Sequence, residues 1–212
     1  VETLRDPAAG GDQATRERYL SIMDGEARRM QGLVDDLMSL SRIEADKYRA
    51  PDQPVALPPL VEEVVAVFRQ SQNKRPLDIV VEVDPSVPPL RADRAQISQL
   101  LHNLISNALK YGAPGTPVTL TARQMADNIL EIAVTDQGEG IAPEHLPRLT
   151  ERFYRIDSSR SRAMGGTGLG LAIVKHIVQR HGGVLHFNSA VGVGTTVKVE
   201  MPQFPASPDE AG

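Results

Sequence analysis

The stretch ADRAQISQLLHNLISNALKYG, residues 92–112, reads as one amphipathic helix with two different faces. Ile97, Leu100, Leu101, Leu104, Ile105, Ala108 and Leu109 recur at helical spacing and give it an apolar face for a core. Asp93, with Gln96 three residues on, has the form of a capping box at the helix start. On another face Asn103, Asn107 and Lys110 fall at i, i+4 and i+7, so that one ligand can meet all three. Two carboxamide oxygens suit a hard cation such as Mg2+, which keeps waters and takes its other oxygens from substrate phosphates. A lysine one turn on meets a phosphate as a point charge. Read alone, the same face is also what a solvated amphipathic helix presents.

Downstream, GGTGLGLAIVKHIVQRHGG (165–183) places four glycines in six residues ahead of a second apolar helix pattern. Glycine lets the backbone turn tightly and approach a ligand, and the free N–H groups of a first helical turn favour an anion. The Gly-Lys-Ser/Thr ending of a P-loop is missing, and no buried strand precedes the glycines as a dinucleotide-binding loop requires. Between the two helices lies VTDQGEGIAP (134–143), where a strand ends in Asp136 and glycines follow at 138 and 140. A carboxylate there can accept a hydrogen bond from an exocyclic amine such as that of adenine, although Asp-x-Gly is also an ordinary turn.

The rest of the chain is consistent with one core and a smaller appendage. Its 212 residues are 41 % hydrophobic with net charge −4, which argues against a nucleic-acid surface as the main business. With no cysteine, disulfides and thiolate metal sites are excluded. No apolar run approaches the ~20 residues of a membrane helix. From Arg16 to about Tyr48 the pattern is one long helix. Its seam is Met23, Ala27, Met30, Val34 and Leu37, widened by Leu33 and Leu40. That seam is expected to bury against another helix, in this chain or a second copy; folding onto the main domain is the other reading. APDQPVALPP (50–59) reads as a linker, with a helix from Leu60 to Gln70 after it. Strands are expected at 77–83, 118–123, 130–136, 184–188 and 195–201, and helices at about 94–110, 143–150 and 169–181. Together these describe an α/β (α+β) two-layer sandwich preceded by a long helix.

Order and spacing carry more than any single segment. The asparagine helix, Asp-x-Gly-x-Gly, ERFYR (151–155) and GGTGLGLAIVK (165–175) together resemble the ATP-binding domain of sensor histidine kinases. The resemblance covers about residues 57–202 and implies the Bergerat ATP-binding fold shared with gyrase, Hsp90 and MutL. The helix ending RMQGLVDDLMSLSRIEADKY (29–48) resembles the second helix of that family's dimerisation and phosphotransfer hairpin, and VETLRDPA at the start resembles phosphate-regulon sensor kinases. The implied domains are a hairpin remnant over 1–50, a catalytic ATP-binding domain over 51–206 and a disordered tail over 207–212.

On this resemblance Gly166, Thr167, Gly168, Leu169, Gly170 and Leu171 cradle the ATP phosphates, and Asn103 and Asn107 bear Mg2+. Lys110 and Tyr111 line the same wall. Asp136 holds the adenine amine, with Gly138, Gly140 and Ile141 beside it and Thr195 at the adenine edge. Glu151 to about Met164 is the implied ATP lid, with Phe153 at its base and Arg152 and Arg155 as candidate phosphate contacts.

One position separates relatives on this fold. Gyrase-like ATPases begin the asparagine segment with a glutamate that activates water; here that place is Asn103, and an amide cannot accept a proton at neutral pH. The sequence therefore favours transfer to another nucleophile over hydrolysis. The family's acceptor is a histidine within a motif like His-Glu-x-x-x-Pro. None of His102, His145, His176, His181 and His186 stands in one, so the acceptor is expected upstream of this stretch. The expected partners are ATP, a response-regulator receiver domain and, in the full-length protein, a second copy, with a cytoplasmic setting and any membrane anchor upstream. A non-catalytic nucleotide-sensing module is the alternative from another class; a serine kinase of the anti-sigma type on the same fold is opposed by the hairpin helix.

Overall fold

The computed structural model describes residues 13–45, 50–71, 78–125, 128–156 and 166–205. Its elements run α1 (Gln13–Ala45), β1 (Gln53–Val55), α2 (Leu57–Ser71), β2 (Ile79–Val83), β3 (Leu90–Ala92), α3 (Arg94–Tyr111), β4 (Val118–Gln124), β5 (Ile129–Asp136), a 3-10 helix (Pro143–Arg148), α4 (Gly170–Arg180), β6 (Val184–Ala190) and β7 (Gly194–Pro202). Five strands form one mixed sheet in the order β2-β4-β5-β7-β6, with β2 parallel to β4 and the remaining pairs antiparallel. Helices α2, α3 and α4 form the second layer. Leu60 and Val65, Ile97, Leu101 and Ile105, and Ile173 and Ile177 bury their side chains against Leu120, Leu130, Ile132 and Val199 of the sheet. This two-layer sandwich is the expected architecture.

The linker reading of residues 50–59 needs correcting. Gln53–Val55 is a strand, paired antiparallel with Leu90–Ala92, a strand that the sequence patterns did not signal. Helix α2 then begins at Leu57, ahead of the expected Leu60. Pro58 and Pro59 occupy its first turn, where a missing N–H costs no intrahelical hydrogen bond. Three-residue strands carry too little periodicity to be read from a sequence.

The start of α3 differs in one detail. Asp93 caps it, accepting from the N–H groups of Ala95 (3.0 Å) and Gln96 (3.2 Å). The reciprocal half of the expected capping box is absent: the Asp93 N–H donates to His181 Nε2 at 3.0 Å, and the buried Gln96 Oε1 has no hydrogen-bond partner. His181 is itself buried, with its Nδ1 2.7 Å from the carbonyl of Ile177. Burial pushes its pKa down and favours the neutral tautomer that donates from Nδ1 and accepts at Nε2. One histidine thus ties the end of α4 to the start of α3.

Helix α1 is long, as expected, but its seam is divided. Leu40 and Ile43 are buried against the helical layer and Leu33 packs beside them, while Met23, Met30, Val34 and Leu37 stay exposed. Only the C-terminal end therefore follows the folded-back reading. The seam expected to meet another helix is open to solvent in the single chain. Among the described residues no helix is long and apolar enough to cross a membrane.

Candidate functional site

A cavity of about 410 Å³ opens between α3, the end of β5, the start of α4 and β7. Asn103, Asn107 and Lys110 line one wall, as their helical spacing requires, with Tyr111 beside them. The Asn103 Nδ2 donates to the carbonyl of Gly170 at 3.4 Å, which links the asparagine helix to the glycine turn. Gly166, Thr167, Gly168, Gly170 and Leu171 form the opposite rim, and the first turn of α4 opens there. Gly168 has φ +76, and a Cβ on it would come within 3.0 Å of the Phe153 backbone. Only glycine suits that left-handed, tightly approached position. Phe153 donates its N–H to the Gly168 carbonyl at 2.9 Å, so the ERFYR segment and the glycine turn brace each other.

At the far end Asp136 is buried at 8 % exposure. Glu131 and His181 are the other buried polar or charged residues among those described. Glu131 has Arg123 and Lys198, and His181 has its two backbone partners. Asp136 accepts from the Gly138 N–H at 2.8 Å and faces the cavity. Burial raises its pKa, opposed by backbone hydrogen bonds from Gly138 and Thr195. A carboxylate kept in a dry wall with acceptor capacity left over suits a neutral N–H donor. Thr195 stands opposite it across the β5–β7 pairing. Gly140 turns the following loop at φ +69, where a Cβ would lie 1.9 Å from the Ala190 carbonyl oxygen. The Ile141 N–H donates to Ser189 Oγ at 2.8 Å, and that hydroxyl also lies 2.9 Å from Thr195 Oγ1. Leu104, Val134, Ile141, Phe187 and Val197 supply an apolar lining suited to a flat ring.

Most residues singled out from the sequence meet at this cavity. Leu169 does not line it: its side chain is fully buried, and only its N–H reaches the turn, donating to Thr167 Oγ1 at 3.2 Å. Gly138 contributes its N–H to Asp136 without lining the space. Phe153, at φ 64 and 57 % exposed, faces a neighbouring hollow of about 450 Å³ shared with Arg29, Leu33, Arg155 and Thr167. Arg155 lines both and donates to the Gly166 carbonyl, whereas Arg152 pairs with Glu44 of α1. Residues 157–164 of the expected lid, with Gly165, lie outside the described residues.

Sequence reading missed most of the apolar lining and several polar contributors. His102 lines the cavity and stacks on Phe68, ring centroids 4.8 Å apart. Its position beside Asn103 was the available signal. Tyr154 is held by His145 Nδ1, 2.7 Å from its hydroxyl, and by Arg148 4.2 Å from its ring centroid. Ser189 sat in a strand with nothing to mark it. Asp36 comes from α1 and enters the cavity from outside the sandwich, which no local pattern signals.

The donor set fits a magnesium–nucleotide complex. Two carboxamides alone hold a cation weakly, and among the described residues no cluster of three His, Asp or Glu side chains could hold a metal. A cation at Asn103 and Asn107 would take its remaining ligands from phosphates and water.

Comparison with known proteins identifies the family. Residues 92–205 match the model of the histidine kinase-, DNA gyrase B-, and HSP90-like ATPases. The chain is 37 % identical over 199 residues to the sensor-like histidine kinase SenX3 of Mycolicibacterium smegmatis, covering 93 % of this chain and 51 % of that one. It is 40 % identical over 180 residues to the phosphate regulon sensor protein PhoR of Pseudomonas aeruginosa, covering 84 % and 40 %. The chain thus spans about half or less of these relatives. Among solved structures, full-length ShkA in complex with AMPPNP superposes over 92 % of this chain and 40 % of its own, with TM-score 0.76 and 26 % identity. The mycobacterial sensor histidine kinase MprB superposes over 73 % and 99 %, with TM-score 0.60 and 30 % identity. These relatives give the binding-only alternative no support.

Proposed function

Because the chain belongs to the histidine kinase-, DNA gyrase B-, and HSP90-like ATPase family and carries the ATPase catalytic domain of sensor histidine kinases, we propose that its cavity binds Mg2+–ATP for transfer of the γ-phosphate to a histidine outside this stretch. The observation that carries this reading is the opening of Asp136, the Asn103–Asn107–Lys110 stripe and the start of α4 onto one space.

Asp136 accepts from the adenine amine, and Thr195 with its Ser189 neighbour orders the same edge. The apolar lining takes the ring faces. The triphosphate extends toward Gly166–Gly170, where the N–H groups of the glycine turn and the positive end of α4 meet it. Lys110 lies at that end; burial lowers its pKa, the Asp36 carboxylate opposes the shift and Arg155 adds to it. Asn103 and Asn107 would hold magnesium, which would neutralise phosphate charge when bound. The nucleophilic imidazole nitrogen bonds to the γ-phosphorus as the bridging oxygen departs with ADP. Asn103 stands where a hydrolase has its glutamate, and its amide cannot take a proton from water, which favours transfer of the phosphoryl group to the imidazole. In the parent protein the group passes on to a response-regulator aspartate, and the parent acts as a dimer, with residues 51–206 as catalytic domain and α1 as part of the hairpin.

Calorimetric titration with Mg2+ and a non-hydrolysable ATP analogue tests the site. Saturable binding is expected, weakened at least tenfold in Asp136→Asn, whose amide places a donor where an acceptor is needed. Since burial raises the Asp136 pKa, affinity should fall on acidification earlier than an ordinary aspartate would give. Equal binding by the variant would remove Asp136 from the adenine site.

A further inference from the structure

Helix α1 reaches into the site that the proposed function assigns to nucleotide. Asp36 lies on its inner face, partly buried, and its Oδ2 accepts from Thr167 Oγ1 at 2.7 Å. Gly32, one turn earlier, lines the same cavity. The carboxylate shares that end of the cavity with Lys110, His102 and Asn103, where the triphosphate would lie. Other contacts fix the helix in this position. Ser39 Oγ donates to Gln99 Oε1 at 2.7 Å, Glu44 pairs with Arg152 and lies 3.8 Å from His176 Nε2, and Leu40 and Ile43 are buried beneath them.

We propose that Asp36 acts as an internal anion at the phosphate end of the cavity, so that docking of α1 and binding of the ATP phosphates oppose each other. The inference rests on the nucleotide reading of the cavity. Thr167 and Lys110 are the groups a phosphate would use, and the docked helix already engages the Thr167 hydroxyl with a carboxylate. A triphosphate brought beside Asp36 meets like charge in a partly dry space, where repulsion is far less screened than in water. Burial already raises the Asp36 pKa; the Thr167 hydrogen bond opposes this, Asp35 adds to it, and Lys110 and His102 offset it. The carboxylate is thus held at a cost that incoming phosphate would increase. Release of α1 from the rim removes the conflict, and nucleotide occupancy becomes a signal that the helix reports.

Titration of the whole chain with Mg2+–AMP-PNP and, separately, with adenosine tests this. Asp36→Asn keeps an acceptor for Thr167 and removes only the charge; it should bind Mg2+–AMP-PNP about three- to tenfold more tightly than the unmodified chain, with adenosine unchanged. Ser39→Ala, which loosens docking outside the cavity, should tighten Mg2+–AMP-PNP in the same direction by a smaller factor, and keeps the test open if Asp36→Asn folds poorly. In the unmodified chain, amide hydrogen exchange over residues 33–44 should rise on addition of Mg2+–AMP-PNP. Equal or weaker Mg2+–AMP-PNP binding by both variants overturns the inference, as does an equal gain for adenosine. Failure of the unmodified chain to bind Mg2+–AMP-PNP at all overturns the nucleotide reading itself, whereas binding that Asp136→Asn removes upholds that reading whatever the Asp36 variant does.

Discussion

Helices α1 and α3 carry nearly the same apolar rhythm and meet opposite fates. In α3 the stripe of Ile97, Leu100, Leu101, Leu104 and Ile105 is at most 2 % exposed, because a sheet and two helices close over it. In α1 the stripe of Met30, Val34 and Leu37 is 47–66 % exposed, while Leu40 and Ile43 at its end are buried and Leu33 is partly covered. Periodicity states which residues share a face; it does not state what lies against the face. That depends on partners the local pattern cannot name.

The largest expected effect lies at the buried end of this comparison. Leu101→Ala should lower the unfolding free energy of the sandwich by about 2–5 kcal/mol in urea denaturation, since it removes methyl groups from a closed core. An intermediate effect is expected where the sandwich buries a charge. Glu131 is 5 % exposed and bonds Lys198 at 3.3 Å and Arg123 at 2.9 Å. Burial alone would raise its pKa, but the hydrogen bonds from Lys198 and Arg123 outweigh it and hold the carboxyl below the ordinary glutamate range. A depressed carboxyl adds stability that is present above its unfolded pKa and lost as pH falls through the folded value. Glu131→Gln should therefore cost about 1–3 kcal/mol near neutrality, with the gap to the unmodified chain closing in acid. The smallest effect belongs to the open seam. Val34→Ala should change stability by no more than about 0.5 kcal/mol in the isolated chain. A loss there as large as at Leu101 would show the seam to be covered in solution and would break the contrast.

The same distinction explains how much was legible beforehand. The five sheet strands to within two residues, the apolar face of α3, the Asn103–Asn107–Lys110 row and the glycine turns follow from spacing within one segment. The β1–β3 ladder, the bond from Asp93 to His181 and the entry of Asp36 into the cavity join residues far apart in the chain. No window of sequence contains both partners of any of them. The half-formed capping box is instructive: Asp93 and Gln96 have the right spacing, yet a histidine 88 positions away from Asp93 takes the second role.

The central pairing of β5 with β7 has a kinetic side. Thr135 and Thr196, 61 positions apart in the chain, lie 3.0 Å from each other by their hydroxyls, and Asp136 faces Thr195 in the next register step. Closing so long a loop must precede any reward from the contacts it brings, and non-local pairing of this kind slows folding. During refolding, helices α1 and α3 can gain helicity from contacts within a few residues, while the adenine wall waits for that closure. Recovery of nucleotide binding after dilution from denaturant should lag the return of helical signal.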